Sequence, residues 1–210
     1  MRPLAIVGAL TLGAWLHATP PTAPQAASAA PMVLQNARVR AYRMPAGALA
    51  GVVHAPGVVV WLENGSAGKA GRAMWLDDAA VPPPGGAGSG SIVIVEPLEH
   101  AASGTAAPPS GSKPGDAPFT GMSFVPLFEN ARVSVLRARM EVDAHEGFHT
   151  HASDTVVVHL SGGEIEDTAD GKTVVNRWKP GDVEFEARGS SHSARNIGHA
   201  IDVVLVALKP

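Results

Sequence analysis

Short apolar runs rich in valine recur along the chain, and glycine and proline break them at close intervals. This pattern is typical of β-strands and lacks the longer periodicity of amphipathic helices. In the second half, strands are predicted over residues 133–140, 155–160, 174–178, 183–187 and 203–208. Turn dipeptides such as Asp170-Gly171 separate these runs. The predicted fold class is therefore all-β.

The chain also repeats itself in several short stretches that follow one another in the same order. The matches pair residues 36–39 with 130–133, 54–62 with 151–160, 74–76 with 177–179, and 92–95 with 203–206. Between the two copies, residues 99–120 are dense in alanine, proline, glycine and serine, which is the composition of a linker. The order of the matches indicates a duplicated domain, with copies over residues 30–98 and 121–210.

The first 29 residues have the features of a secretory signal peptide. Arg2 precedes an apolar stretch over residues 4–16, which is shorter than the roughly 20 residues that span a bilayer. Ala27-Ser28-Ala29 supplies a small-residue cleavage site, so Ala30 is the expected new N-terminus. We therefore expect a periplasmic or secreted protein that has no membrane anchor after cleavage.

Composition narrows the range of functions. The 210 residues carry a formal net charge of −3, and lysine and arginine form no cluster. Nucleic-acid binding is therefore not expected, because it requires a basic surface. The chain has no cysteine, which excludes disulfides and a cysteine-linked lipid anchor. A small-molecule ligand or substrate is the expected partner, and a homo-oligomer is compatible with the sequence.

His149 and His151 form a His-x-His pair in the second copy, and His192 follows about forty residues later. Side chains alternate along a strand, so the two imidazoles of the pair lie on one face, with Cβ atoms roughly 6–7 Å apart. A third histidine from a neighbouring strand completes one side of a coordination sphere. The three residues predict a mononuclear site for a divalent metal, whether Fe, Ni, Cu, Zn or Mn, because imidazole ligands alone do not select among these ions.

Glycines at fixed distances surround these histidines. His192 lies in a stretch that runs from Gly181 to Asn196, with Ala187 and Gly189 at the intermediate positions. This stretch resembles the second motif of the cupin family, G-x5-P-x-G-x2-H-x3-N, with alanine in place of proline. The resemblance covers residues 125–209 and implies a double-stranded β-helix, a jelly-roll-type barrel. Two copies in one chain resemble a bicupin.

The first cupin motif, G-x5-H-x-H-x3,4-E-x6-G, matches His149, His151 and Gly162. Asp143 stands at its leading glycine, and Thr155 stands at its glutamate. The resemblance then implies a metal held by three histidines without the usual carboxylate. Asp154, one residue before the glutamate position, is the alternative fourth ligand, and the sequence leaves this choice open.

The first copy departs further from the motifs. His54 aligns with the second histidine of the pair, but Val52 occupies the place of the first, and residues 81–90 contain no histidine. We expect a degenerate, metal-free half that packs its sheet against the second barrel. In the alternative interpretation, the first half and residues 99–120 form an irregular extension on a single barrel.

A divalent ion held by three neutral histidines would keep its charge, which favours an anionic ligand. Resemblance to three-histidine cupins then implies a metal-dependent oxygenase, or a lyase or isomerase, acting on a small anionic molecule. The alternative is a non-catalytic cupin that binds a metal or a small ligand. The strand residues predict an apolar pocket in which the ion is the chief polar feature.

Several polar residues near the motifs remain open. His145 and Glu146 precede the first motif at the expected barrel mouth, where they either act on substrate or form a solvated loop. His159 shares the strand parity of Thr155 and is expected to point inward as a hydrogen-bonded core residue. The remaining expectations are that Arg195 and His199 lie on the surface and that Asn196 holds the backbone.

Overall fold

The computed structural model describes residues 30–51, 55–64, 68–77, 89–98 and 119–209. The predicted signal peptide, Val52 and His54 lie outside these ranges, as do most of the predicted linker and most of residues 81–90. Within the described ranges no helix has the length and apolar character needed to cross a membrane.

The first half forms one antiparallel sheet with the strand order β1-β2-β5-β3-β4. A short 3₁₀ helix, Ala46–Gly51, follows β2. The five strands are β1 Met32–Gln35, β2 Val39–Pro45, β3 Gly57–Trp61, β4 Ala73–Leu76 and β5 Ser91–Pro97.

The second half forms a larger antiparallel sheet with the order β10-β9-β12-β7-β13-β8-β11, and β6 also pairs with β7. All five predicted strands are confirmed. Of three further strands, β9 and β12 are mostly polar and do not stand out in the sequence, whereas β6 begins inside the predicted linker. The strands are β6 Phe119–Glu129, β7 Val133–Thr150, β8 Thr155–His159, β9 Gly163–Ala169, β10 Lys172–Trp178, β11 Val183–Glu186, β12 Ser191–Asn196 and β13 Ile201–Leu208.

The long strand β7 curls this sheet, because its two ends pair with different neighbours. Residues 133–140 pair with β13, whereas residues 145–150 pair with β12. Between these parts Asp143 has φ 59°, in the left-handed region that glycine adopts freely and aspartate tolerates better than most residues. This conformation explains why aspartate can stand at the leading glycine of the motif.

The strand registers confirm the internal repeat over one sheet. Val58 pairs with Val95 in the first half as Val156 pairs with Val206 in the second, which places Trp61 at the position of His159. Asn36 and Asn130 also form the same turn, since each side-chain oxygen accepts the backbone N–H groups two and three residues later.

One predicted repeat match is wrong. Residues 74–76 pair with β3, and residues 184–186 of β11 pair in the same way with β8. The counterpart of residues 74–76 is therefore 184–186, and not the predicted 177–179. The similarity around Trp75 and Trp178 misled the alignment, because the second half inserts the β9–β10 hairpin between the matched strands. The described residues of the first half contain no counterpart of β9, β10 or β12. Within these residues, the repeat is therefore limited to the strands of one sheet.

The two sheets pack face to face, as expected for the two halves. Their shared core is almost all valine, and each half contributes every second residue of its strands, as the alternation of side chains requires. The core includes Val39, Val58, Val60, Val93 and Val95 from the first half and Val133, Val135, Val156, Val158, Val204 and Val206 from the second.

Asp154 connects the two halves. Arg38 of the first half donates from Nε to Asp154 Oδ2 at 2.5 Å, and the backbone N–H of Arg188 donates to Oδ1 at 2.8 Å. The backbone carbonyl of Asp154 also accepts the N–H of Leu208. The largely buried side chain of Asp154 therefore has a hydrogen-bond donor on each carboxylate oxygen.

We predict that Asp154→Ala lowers the free energy of unfolding by about 3 kcal/mol, because it removes the negative charge that pairs with the largely buried Arg38. Glu164→Ala is the matched control, since the Glu164–Arg177 pair is mostly exposed and worth at most about 1 kcal/mol. Urea unfolding of both variants measures the difference. Equal losses in the two variants would contradict a structural role for Asp154.

Candidate metal centre

A cavity of about 270 Å³ lies inside the curled second sheet. Strand alternation forms its wall: Val156 and Val158 of β8 pack toward the first half, whereas Thr155, Val157 and His159 face the cavity. The packing of the first half on the outer face thus fixes which residues line the inner one.

His149, His151 and His192 come together at this cavity. His149 and His192 are directly opposite each other on β7 and β12, and His151 follows the end of β7. The ligand atoms of the three residues all lie within 4.8 Å of one another, and the Nε2 atoms of His151 and His192 are 3.0 Å apart. The structure therefore gathers the histidines that the sequence singled out.

Two of the three imidazoles have a hydrogen-bond acceptor at Nδ1. His149 Nδ1 lies 3.0 Å from the carbonyl oxygen of Gly147, and His192 Nδ1 lies 2.9 Å from Asp167 Oδ1. His151 Nδ1 lies 3.5 Å from Glu186 Oε2. Acceptors at Nδ1 favour the tautomer that leaves Nε2 of His149 and His192 as the donor atom, which is the usual arrangement around metal-binding histidines.

The protonation of His151 also suits metal binding. Burial, together with the neighbouring His192 and His149, lowers the pKa of His151 to about 4. The imidazole is therefore neutral at neutral pH, so no proton must leave before a cation binds. Taken together, the converging Nε2 atoms, the two acceptors at Nδ1 and the neutral ring fit a divalent metal.

The cavity is more acidic than the sequence suggested. Four acidic side chains line it: Glu146, Asp167, Glu184 and Glu186. No lysine or arginine among the described residues lines it. Burial, together with the nearby Glu184 and Glu146, raises the pKa of Glu186 to about 8, so this carboxyl is mostly protonated at neutral pH. The expectation that the ion is the chief polar feature is wrong, because four carboxyl groups share the cavity with it.

Thr155 lines the cavity, as the motif position predicts, and its hydroxyl lies 3.4 Å from the Ser153 carbonyl oxygen. Glu186 stands directly across from it on β11. Asp154, the alternative fourth ligand, is absent from the cavity lining, and both of its carboxylate oxygens are engaged by Arg38 and Arg188.

The other candidates fall on both sides of the barrel wall. Glu146 faces the cavity, whereas His145 is exposed. His159 points inward as expected, stacks on Trp178 with ring centroids 4.6 Å apart, and has Nε2 3.5 Å from Glu184.

The remaining two residues near the second motif are structural. Arg195 lies outside the cavity lining and pairs with Asp143 at 2.9 Å. Asn196 is fully buried and donates to three backbone carbonyls, one of them that of His199. The expected backbone role of Asn196 is confirmed.

Sequence reasoning missed Asp167, Glu184 and Glu186. For the pair on β11 a signal exists, because Val183 and Phe185 pack against the core and the alternating glutamates must then face the cavity. Asp167 has no such signal, since β9 is polar and was not predicted as a strand.

We predict that Asp167→Ala weakens metal binding about 10- to 100-fold, because His192 loses the carboxylate that orients its ring. Glu166→Gln is the control, since its partly exposed side chain lies outside the cavity lining. Competition titration with a chromogenic chelator measures both affinities. Equal metal affinities in the two variants would contradict a role of Asp167 in orienting His192.

Comparisons with known proteins give similarity to solved structures alone. No family model matches the chain, and no curated protein matches it. A cupin domain from Bordetella pertussis is 23% identical over 43% of this chain and 95% of that chain, with a TM-score of 0.41. An RmlC-like cupin from Shewanella frigidimarina is 19% identical over 43% and 78% of the two chains, with a TM-score of 0.36. The polyketide cyclase RemF from Streptomyces resistomycificus is 16% identical over 45% and 69%, with a TM-score of 0.39.

The strand order and the placement of the two motifs agree with the fold that the motifs imply. One strand, β7, runs through both parts of a curled antiparallel sheet and ends in the first motif. The second motif lies beside it on β12, so that histidines of both motifs meet inside the curl. On these grounds, the second half of the chain has a cupin-type fold.

Proposed function

We propose that the protein binds one divalent metal ion through His149, His151 and His192. One observation carries the proposal: the ligand atoms of the three histidines lie within 4.8 Å of one another, with the Nε2 atoms of His151 and His192 3.0 Å apart. Such a separation brings both nitrogens within reach of one ion, since metal–imidazole bonds are about 2.0–2.1 Å long. The ligand set leaves Fe, Ni, Cu, Zn and Mn as candidates.

We predict that the purified wild-type protein retains about one transition-metal ion per chain and that His151→Ala retains far less. The variant removes one of three converging donors, and two imidazoles hold a divalent ion poorly. His145→Ala is the matched control, because His145 is an exposed histidine outside the cavity lining. Elemental analysis after dialysis, with circular dichroism to verify folding, makes the comparison.

The proposal fails if the wild-type protein neither retains nor takes up Fe, Ni, Cu, Zn or Mn. It also fails if His151→Ala and His145→Ala bind the metal equally well. A loss of metal in both variants would instead place the ion elsewhere in the chain.

Catalysis on a small molecule is the second candidate function, and the cavity favours it. The space of about 270 Å³ adjoins the histidines and suits a small ligand. A divalent ion there would supply Lewis-acid or redox chemistry to that ligand. The four carboxyl groups lining the cavity add hydrogen-bonding partners and some negative charge, so a neutral or cationic molecule is a candidate ligand beside the anionic one that the sequence suggested.

We predict that the Fe(II)-loaded protein consumes oxygen with at least one small substrate if it is an oxygenase, and that His192→Ala does not. Anaerobic reconstitution followed by oxygen uptake tests dicarbonyl, thiol, phenolic and amine compounds. Product analysis with other metals tests lyase and isomerase activity. Absence of turnover by the loaded wild-type protein would leave the non-catalytic binding role in its place.

Export to the periplasm or the medium stays part of the proposal. Its support is the signal-type pattern of residues 1–29 alone. N-terminal sequencing of the exported protein should begin at Ala30, and an intact N-terminus would contradict the prediction.

A further inference from the structure

We infer that Glu146 supplies a fourth, carboxylate ligand to the metal, in place of the glutamate that the chain lacks at Thr155. The inference rests on the proposed three-histidine site. It assigns a ligand role to a residue that lies three positions before His149, at a position that the first motif leaves unspecified.

A β-bulge brings Glu146 to the cavity face. His192 pairs with His149, and Ala194 pairs with Glu146, so two steps on β12 correspond to three on β7. In a regular strand Glu146 and His149 would point to opposite faces, because they are an odd number of residues apart. The extra residue on β7 reverses this alternation, and both side chains line the cavity.

Glu146 is the cavity carboxylate found on the ligating side of the histidines. Its Oε2 lies 3.8 Å from His192 Nε2, the nitrogen that is free to bind metal. Asp167 and Glu186, by contrast, contact the Nδ1 atoms of His192 and His151. These two can orient the rings, whereas Glu146 can share an ion with His192.

The distance suits a shared ion. Two donors bound to one ion at about 2.1 Å are roughly 3 to 4 Å apart, depending on the coordination geometry. Glu146 is not among the three residues whose donor atoms already lie mutually within 4.8 Å, so ligation requires its side-chain torsions to change. Its three rotatable bonds permit this change.

The electrostatics of Glu146 agree with this role. Its carboxyl group lies in the cavity beside His192, and among the described residues no lysine or arginine lines that cavity. A buried carboxylate without a lysine or arginine is costly in its charged form, and a bound cation offsets that cost. If the Glu146 carboxylate bound the ion, its negative charge would lower the net charge of the metal centre from +2 to +1.

The test compares Glu146→Gln with Glu184→Gln. Glutamine keeps the size of the side chain and removes its charge in both variants. Glu184 lines the same cavity, but its carboxylate lies 3.5 Å from His159, which is not one of the three ligands. Glu184→Gln therefore measures the general effect of removing one negative charge from the cavity.

Each variant is titrated with Co(II) and Cu(II), and the visible absorption and electron paramagnetic resonance spectra are recorded. We expect Glu146→Gln to weaken binding at least about tenfold and to shift the ligand-field bands and the copper hyperfine splitting. Glu184→Gln should retain the wild-type spectra. Circular dichroism establishes that both variants are folded.

The inference is overturned if Glu146→Gln gives the wild-type spectra, or if both variants shift them equally. Failure of the three-histidine site itself gives a different result, because the wild-type protein would then bind neither Co(II) nor Cu(II) in the cavity. The two failures can therefore be told apart within one set of titrations.

Discussion

The two irregularities in strand β7 determine where the site forms. The left-handed Asp143 bends the strand, so that one part pairs with β13 and the other with β12. The bulge after Glu146 then changes the alternation of side chains, so that Glu146 and His149 face the same cavity. His149 and His192 are paired across β7 and β12, and the bend turns this part of the sheet around the cavity that they line.

The first half of the chain gives this curled sheet a buried outer face. Its valines pack against Val156, Val158, Val204 and Val206, and Arg38 pairs with Asp154 at the edge of that contact. Since neighbouring residues on a strand point to opposite faces, fixing the outer residues also fixes the inner ones. A degenerate half without the paired histidines therefore positions the cavity residues of the other half.

The sequence predicted the features that depend on local spacing. The all-β class, five strands, the three converging histidines and the inward direction of His159 all follow from alternation or from motifs a few residues long. The acidic character of the cavity did not follow, because Glu146 faces inward through a bulge and Asp167 lies on the polar strand β9. Asp154 was considered as a ligand because the position of Arg38 across the interface cannot be read from spacing along the chain.

The central claim is that the Nε2 atoms of three histidines hold one metal ion within the barrel. Anomalous diffraction from crystals of the metal-loaded protein, recorded on both sides of the metal absorption edge, tests it most directly. The account predicts a single strong peak about 2.1 Å from Nε2 of His149, His151 and His192. A peak bound through Nδ1, a peak outside the cavity, or no peak in fully loaded crystals would contradict it.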